Sequence, residues 1–458
     1  FPTRRSSDLK FIWLVFKPVI FSNTKLTKEM KNSNFNSNFF YNGHQIWYNS
    51  LSNEFLVLNN FLNELFVASL NENNVDDLKN LHPDFYSELY NKNFIVENDI
   101  DEIEQIRKMN QRLINNETKY ELTINPTMNC NFKCWYCYES HIKDSILKSD
   151  IIERICKHMD YLCSNNPNLQ VFHLAWFGGE PLLYFEQTVE PILKYAKKRF
   201  ENITFFSSIT TNGLLIDEFK IKIFKENKLQ YFQITLDGYI EEHDSIRYIS
   251  KKRGSYNIII ENIVMLAKNG LDVNVRINFT RTTLDNIEKV ADFFKDFPRE
   301  VLSKITFDFH QVWQDEDDLE DLLELKIEYF KKYNLISTSR DEIDSFKSPC
   351  YADTKNHATI NYNGEVFKCT ARDFASAIKE GDLLDDGLIE WNEKYNKRLE
   401  SKIKNKPCFT CKILPICGGG CSQISMENEG KEYCVKNFDE NRKLQLVKNR
   451  FLNLVSTQ

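Results

Sequence analysis

The chain reads as an α/β protein: a partial (β/α)6 TIM-like barrel with a small α+β domain before it and a cysteine-rich domain after it. Three observations predict this. Short apolar runs recur six times between helix-length amphipathic stretches from residue 120 to about residue 309, and such strand–helix alternation implies parallel pairing with right-handed crossovers. Residues 39–58 alternate strand-like runs with turn residues. Seven of the twelve cysteines fall beyond residue 349.

Composition narrows the function. A chain of 458 residues can bury a large core and is long enough for two to four domains. At 42% hydrophobic, 27% charged and a net charge of −7, it does not read as a dedicated nucleic-acid binder. Twelve clustered cysteines are too few for a disulfide scaffold at this length, and they fit metal binding in the reducing cytoplasm. No run reaches the roughly 18 uninterrupted apolar residues that a membrane span needs.

Taken in order, residues 1–29 read as a leader foreign to the rest of the chain. Arg4-Arg5 ahead of the apolar residues 11–16 mimics a twin-arginine export signal, but Lys17-Pro18 interrupts the run and no small-residue cleavage site comes after it. Residues 1–9 read as a translated adapter tail, and Met30 reads as the start.

Residues 30–110 read as the N-terminal domain. Phe39-Phe40-Tyr41, Asn42-Gly43 and residues 45–48 make a hairpin, with residues 54–58 as a third strand; Asn-Gly is a strong two-residue turn. Asn59 caps a helix to Leu70, a short helix starts near Val75, Pro83 opens a third to Tyr90, and Phe94-Ile95-Val96 closes the unit. This order resembles the small winged-helix domain that binds precursor leader peptides in peptide-modifying systems, and so implies a peptide partner. An inert extension is the plainer reading. The acidic balance of residues 97–104 disfavours nucleic acid.

The barrel is expected over residues 118–312, with strands at 121–126, 171–177, 203–210, 231–236, 272–278 and 305–309. Its active site belongs at the carboxyl ends of those strands. Just past the first strand stand Cys130, Cys134 and Cys137, three thiols in one short loop that converge on one inorganic group. A 4Fe–4S cube normally takes four cysteines, so three leave one iron open to a small molecule. Zinc held by the same cysteines and His141 is an alternative, and unliganded thiols are another.

The spacing Cx3CxΦC, with Tyr136 before the last cysteine, resembles the signature of the radical S-adenosylmethionine (SAM) superfamily. The resemblance implies that Cys130, Cys134 and Cys137 are the catalytic ligands, with the open iron chelated by the amino and carboxylate groups of SAM. An electron from the cluster would then cleave the sulfonium to a 5'-deoxyadenosyl radical, which takes hydrogen from an unactivated C–H bond. Later strand ends extend the likeness. Gly178-Gly179-Glu180-Pro181 resembles the GGEP motif, with glycines that let backbone approach a ligand and a carboxylate to accept from the SAM ammonium. Asn212, in Thr211-Asn212-Gly213, falls in the family's TNG turn. Thr235-Leu236-Asp237-Gly238 resembles the SIDG segment of the peptide-modifying branch, and His243-Asp244-x2-Arg247 continues that pattern. Asn278 ends the fifth strand. The resemblance implies SAM contacts from Tyr136, Gly178, Gly179, Glu180, Asn212, Thr235, Asp237, Arg247 and Asn278, although a lone Asp-Gly turn or arginine is common structural furniture.

Residues 313–345 read as a helical linker whose acidic run, residues 315–324, is a solvated helix face or else a surface that steers a basic peptide. Cys156, Cys163, His158 and His173 read as structural. Residues 346–440 hold Cys350 and Cys369, then Cys408, Cys411, Cys417, Cys421 and Cys434. That order resembles the SPASM extension, which carries auxiliary 4Fe–4S clusters in peptide and protein maturases. A zinc ribbon would explain only Cys408 and Cys411. Asn363-Gly364 makes a hairpin tip that returns Cys369 towards Cys350, and Gly418 to Gly420 let backbone wrap a cluster. The resemblance implies one auxiliary cluster on Cys408, Cys411, Cys417 and Cys434, and a second on Cys350, Cys369 and Cys421 with its fourth iron unassigned. Asn356 or His357 lies near where some relatives place a further cysteine. Residues 441–458 read as a C-terminal helix and tail.

Together these imply a cytoplasmic radical SAM/SPASM peptide maturase of the anaerobic sulfatase-maturase-like branch. Its expected reaction is oxidative modification of a ribosomally made (RiPP) precursor peptide, giving a thioether, a carbon–carbon link or a related product. Its electron donor would be of the flavodoxin or ferredoxin type, with no nucleic acid and no membrane involved. The enzymatic alternative is sulfatase maturation to formylglycine; that branch carries an aspartate directly after the second cysteine of the block, where this chain has Thr370, with Asp373 three residues on. A non-catalytic iron–sulfur electron carrier or scaffold is the alternative from another class.

Overall fold

The structure, a computed structural model, describes residues 28–250, 253–339 and 349–456. Residues 1–27 of the expected leader lie outside it, as do residues 340–348, where the expected linker meets the cysteine-rich region.

The N-terminal region holds β1 (Met30–Asn32), β2 (Asn36–Tyr41), β3 (His44–Asn49), β4 (Glu54–Leu58) and β5 (Ile95–Glu97). β2, β3 and β4 form an antiparallel meander, and β1 pairs with β5. Asn42 and Gly43 both take positive φ at the hairpin tip, as a two-residue turn of this kind demands. The Asn59 side chain accepts from the Leu62 N–H at the start of helix Asn60–Asn71, satisfying a donor the helix leaves free. Pro83 opens helix Pro83–Asn91, where its missing N–H is no loss.

β6 (Lys119–Ile124), β7 (Val171–Trp176), β8 (Thr204–Thr211) and β9 (Leu229–Leu236) run parallel in chain order. After the small ladder of β10 (Tyr248–Ser250) and β11 (Arg253–Gly254), β12 (Asp272–Phe279) and β13 (Ile305–Gln311) continue the parallel series. These six lie within two residues of the strands read from the sequence. Alternation settles which side faces what. Phe172, Leu174 and Trp176 are buried on one face of β7, while His173 on the other face is partly exposed. The helices cover the apolar face, so the polar residues look into the barrel: Glu121 pairs across to His173, Thr210 to Gln233 and Thr235 to Arg276.

The sheet is larger than the six strands expected. β14 (Ile336–Ser339) adds in parallel beyond β13, so the linker is not wholly helical: it contains helix Glu320–Lys332 and then this strand. Ile-Ser-Thr-Ser carries too little alternation to be read from the sequence. At the other edge, β15 (His357–Ile360) pairs in parallel with β6, followed by antiparallel β16 (Glu365–Phe367), β17 (Gly381–Leu383) and β18 (Ile389–Trp391). The cysteine-rich region is thus continuous with the barrel sheet, eleven strands in all, whose edges are β14 and β18.

The N- and C-terminal ends of the described chain close on each other. Helix Glu440–Ser456 lays Leu446, Val447 and Phe451 against Phe39, Ile46 and Tyr48. The Phe451 ring meets Phe39, Tyr41 and Phe55 at 5.7, 5.6 and 5.3 Å. Ser50 Oγ donates to the Lys412 carbonyl, and Lys412 Nζ to that of Asn34 at 2.8 Å. Truncating Phe451, which is 3% exposed, leaves a cavity at this seam. Phe451→Ala is expected to cost about 3 kcal/mol in urea unfolding; a loss below about 1 kcal/mol would contradict the packing described.

Candidate functional site

The cysteine loop leaves β6 and is shaped by contacts rather than by a ladder. Leu147 N–H donates to the Pro126 carbonyl and Ile142 N–H to that of Met128, closing residues 126–147 on themselves. Thr127 Oγ1 donates to the Ser145 carbonyl at 2.6 Å, and Ser145 Oγ accepts from Met128 N–H at 2.9 Å. Phe132, 1% exposed, plugs the loop into the core between the first two cysteines. The result is a cavity over the carboxyl ends of β8, β9 and β12, lined by Cys130, Cys134 and Cys137 together with residues of those strands.

Tyr136 ties this loop to two strand ends. Its hydroxyl donates to Asp237 Oδ1 at 2.5 Å and accepts from Arg247 Nη2 at 2.8 Å and Asn278 Nδ2 at 3.1 Å. Arg247 Nε donates to Asp237 Oδ2 at 2.5 Å, with both side chains 10% exposed or less. A buried ion pair is weak evidence of net stability, but it fixes where the phenol and the loop sit.

The GGEP segment reaches the site from behind the loop as well as from the cavity, where Gly179 lines the wall. Glu180 is fully buried and does not line the cavity; its carboxylate takes the N–H groups of Leu182 (3.0 Å) and Asn212 (2.7 Å) and the Thr211 hydroxyl (2.7 Å). With those donors engaged it braces β7 against the turn after β8. Gly178 and Asp237 do not line this cavity; Asp237 lines a neighbouring one beside Tyr136 and Asn278. Gly178 and Gly179 have φ of +77° and +50°, and a Cβ on Gly179 would fall 2.2 Å from the Asn129 carbonyl. The close approach that needs glycine is therefore to the cysteine loop.

Of the nine expected SAM contacts, Tyr136, Gly179, Asn212, Thr235, Arg247 and Asn278 line the cavity with the thiols. Asn212 Nδ2 reaches back to Asn131 Oδ1 at 2.6 Å, linking turn to loop. Other lining residues escaped the sequence reading, Gln233 and Glu139 among them. Gln233 precedes Thr235 by two on the same strand face, so alternation alone could have found it. Glu139 gave no such signal: its carboxylate accepts from the Gly179 N–H at 2.7 Å, and burial pushes its carboxyl up to about 7.

Donor chemistry tests what the thiols can hold. Burial pushes Cys130 up to about 12 and Cys137 to about 11, with Arg247 pulling the other way, so a bound metal group displaces protons from them. His141 Nε2 lies 3.7 Å from Cys137 Sγ. Three sulfur donors around one open cavity fit a cube with one corner left free.

The C-terminal thiols fall into two neighbourhoods. Cys350 lies within the electrostatic reach of Cys369 and Cys421, and Cys408 within that of Cys411, Cys417 and Cys434. Gly418, Gly419 and Gly420 all take positive φ beside them.

Residues 124–294 match the Radical SAM superfamily. That segment is a radical SAM domain. A radical SAM domain uses a 4Fe–4S cluster and SAM, for which the Cys130, Cys134 and Cys137 cavity has the donors. The chain is 34% identical over 175 residues, 36% of its length, to a cysteine-type anaerobic sulfatase-maturating enzyme of Clostridium novyi. It is 25% identical over 379 residues to the radical SAM cyclopropyl synthase TigE of Paramaledivibacter caminithermalis, covering 74% of this chain and 76% of that one. The chain spans less than half of two curated relatives, 45% of the C. novyi enzyme and 44% of a Synechocystis protein. Native anSMEcpe with bound AdoMet has the same fold, with a TM-score of 0.57 at 21% identity over 74% of this chain and 99% of that one. No helix among the described residues is long and apolar enough to cross a membrane.

Tyr136→Phe removes the hydroxyl shared by Asp237, Arg247 and Asn278. The expected cost is about 1–3 kcal/mol, because buried charges lose a partner, read by urea unfolding. An unchanged unfolding midpoint would contradict the network's role in holding the radical SAM cysteine loop.

Proposed function

We propose that this protein cleaves SAM reductively and uses the radical to modify oxidatively a residue of a ribosomally made peptide. The observation that carries the reading is the cavity itself: three thiols of one loop face polar residues from the carboxyl ends of β8, β9 and β12. When bound at Cys130, Cys134 and Cys137, a 4Fe–4S cluster supplies the electron that cleaves SAM to a 5'-deoxyadenosyl radical. Thr235, Asn212, Asn278 and the Gly179 backbone give SAM hydrogen-bonding partners, and Arg247 holds a fixed positive charge nearby. Glu180 and Asp237 keep those groups in place from behind.

Aromatic side chains and a cation stand at the mouth. Trp313, 55% exposed, stacks on Tyr138 at 5.4 Å, and the Arg372 guanidinium lies over its ring at 5.6 Å. Barrel and post-Cys369 segment thus build the entrance together. In this reading the N-terminal α+β region takes the precursor's leader, and the Cys350 and Cys408 thiol groups hold auxiliary clusters that carry the electron away. A flavodoxin- or ferredoxin-type donor and a reducing cytoplasm complete the setting.

Sulfatase maturation is the second reading, favoured by the names of several relatives. Against it stands the local chemistry after Cys369. Thr370 Oγ1 is hydrogen-bonded to the Tyr351 hydroxyl at 2.5 Å. The carboxylate of Asp373 is occupied by the N–H and hydroxyl of Ser140 and the N–H of Phe374. Neither supplies a free carboxylate base at the cavity. The non-catalytic scaffold is disfavoured by an intact cysteine loop set in a polar cavity.

Anaerobic reconstitution with dithionite and SAM is expected to release 5'-deoxyadenosine, to lose that activity in Cys134→Ala, and to bind about twelve irons per chain as three cubes. No 5'-deoxyadenosine would sink the enzyme reading, and about four irons would remove the auxiliary clusters. Coexpression with a small precursor from a neighbouring reading frame should yield a peptide lacking a pair of hydrogens by mass spectrometry. Formylglycine on a sulfatase peptide, with no change in the precursor, would transfer the assignment to the second reading.

A further inference from the structure

A second cavity, of about 840 Å³, opens beside Cys369 and outside the barrel site. Helix Glu393–Glu400, helix Ser422–Glu427 and residues 428–433 wall it, and Phe367, Ile378, Met426 and Tyr433 give it apolar lining. Binding sites for small ligands run from roughly 300 to 1,000 Å³, so this one has room for a short stretch of extended chain. A folded domain of roughly 100 residues, with a radius of gyration of about 13 Å, cannot enter it.

Arg372 joins this cavity to the barrel site. It lines the cavity beside Cys369, and its guanidinium lies over the ring of Trp313, which lines the barrel cavity. Nε and Nη2 donate to the two carboxylate oxygens of Glu427 at 2.7 and 2.9 Å, a bidentate pair that fixes the planar fork. A chain lying across Trp313 therefore meets Arg372 next and the second cavity beyond it. Charge indicates what such a chain carries. Among the lining cations Arg372 pairs with Glu427, Arg398 with Glu380, Lys397 with Glu429 and Lys404 with Glu400. Lys394, Lys406 and Lys431 are exposed and enter no ion pair among the described residues; Lys394 Nζ donates to the Ala377 carbonyl. Glu432 is the one lining carboxylate left to face them. Three lysines against one glutamate make a locally positive rim on a chain whose net charge is −7.

We propose that this cavity is a second subsite for the substrate peptide and takes a stretch bearing Asp and Glu that flanks the residue held in the barrel cavity. The inference rests on the peptide reading above. Arg372 is the positioning residue at the crossing, since Glu427 holds its fork while its face covers Trp313. The exposed lysines act on capture and orientation of the peptide rather than on the chemistry in the barrel, as rim charges do. Their effect therefore falls on KM and weakens with salt.

The test uses the full reconstituted chain with dithionite and SAM. Its probes are the precursor from the neighbouring reading frame and the same precursor with the Asp and Glu around its modified residue changed to Asn and Gln. In the double variant Lys406→Glu with Lys431→Glu, kcat/KM for the acidic precursor is expected to fall roughly tenfold, carried by KM. Iron content, kcat and 5'-deoxyadenosine release without peptide should match the unaltered protein. The neutralised precursor should lose a similar factor on the unaltered protein and nothing more on the variant, the coupling that a double-mutant cycle reads. Lys431→Glu alone gives the same comparison if Lys406→Glu, two residues from Cys408, lowers iron content. An unchanged KM, or an equal further loss with the neutralised precursor, would overturn the proposal, as would modification of a precursor that has no acidic residue near the modified one. A loss seen only when reduced flavodoxin replaces dithionite would also overturn it and give this face to the electron donor. If the unaltered protein releases 5'-deoxyadenosine yet leaves the precursor unmodified, the peptide reading itself fails and the subsite with it, an outcome distinct from the others.

Discussion

The site depends on one buried carboxylate. Glu180 has no access to solvent, yet it takes two backbone N–H groups and a hydroxyl from the turns that follow β7 and β8. Those three donors tie the two turns together through one side chain. Gly179, the residue before it, passes so close to Asn129 that no side chain fits between them. The cysteine loop has no ladder of its own, and these contacts substitute for one. Asp237 and Arg247 repeat the device from β9, gripping the loop through the Tyr136 hydroxyl.

The same logic extends to the C-terminal thiols. They lie on segments that the chain brings together late, and buried ion pairs again do the gathering: Arg398 with Glu380, and Lys402 with Asp353. The N-terminal meander closes the far side. Its Phe39, Ile46 and Tyr48 share an apolar cluster with Ile413, Ile416 and the C-terminal helix, and Cys411 and Cys417 pack at its margin. The two ends of the described chain therefore meet beside the four-thiol group.

Much of this was legible in the sequence because it rests on local rules. The six core strands show as apolar runs, since each buries one face against helices and must alternate or stay apolar. Asn59, Pro83 and the Asn42-Gly43 and Asn363-Gly364 tips are cap and turn chemistry, readable one residue at a time. Cysteine spacing carried the thiol loop and marked the C-terminal block, whose division into two groups came from the family resemblance. What could not be read depends on partners distant in the chain. β14 is too short to show a period, and the pairing of His357 with Glu121 joins residues that no local pattern links. Glu180 lies in a recognisable motif, but whether its carboxylate faces a ligand or the core is decided by Thr211 and Asn212. Glu139 and Arg398 belong to no pattern at all; their roles exist only once loop, turn and helix have met.

The central claim is that the open side of the Cys130, Cys134 and Cys137 group faces the cavity walled by Thr235, Asn212 and Asn278, and binds SAM there. Pulsed ENDOR on the reduced, reconstituted protein with SAM labelled at its amino nitrogen and carboxylate oxygen tests this most directly. Hyperfine coupling from both labels to the cluster, lost in Cys134→Ala, is the result the account predicts. An intact, reduced cluster at these cysteines that shows no coupling to either label would contradict it.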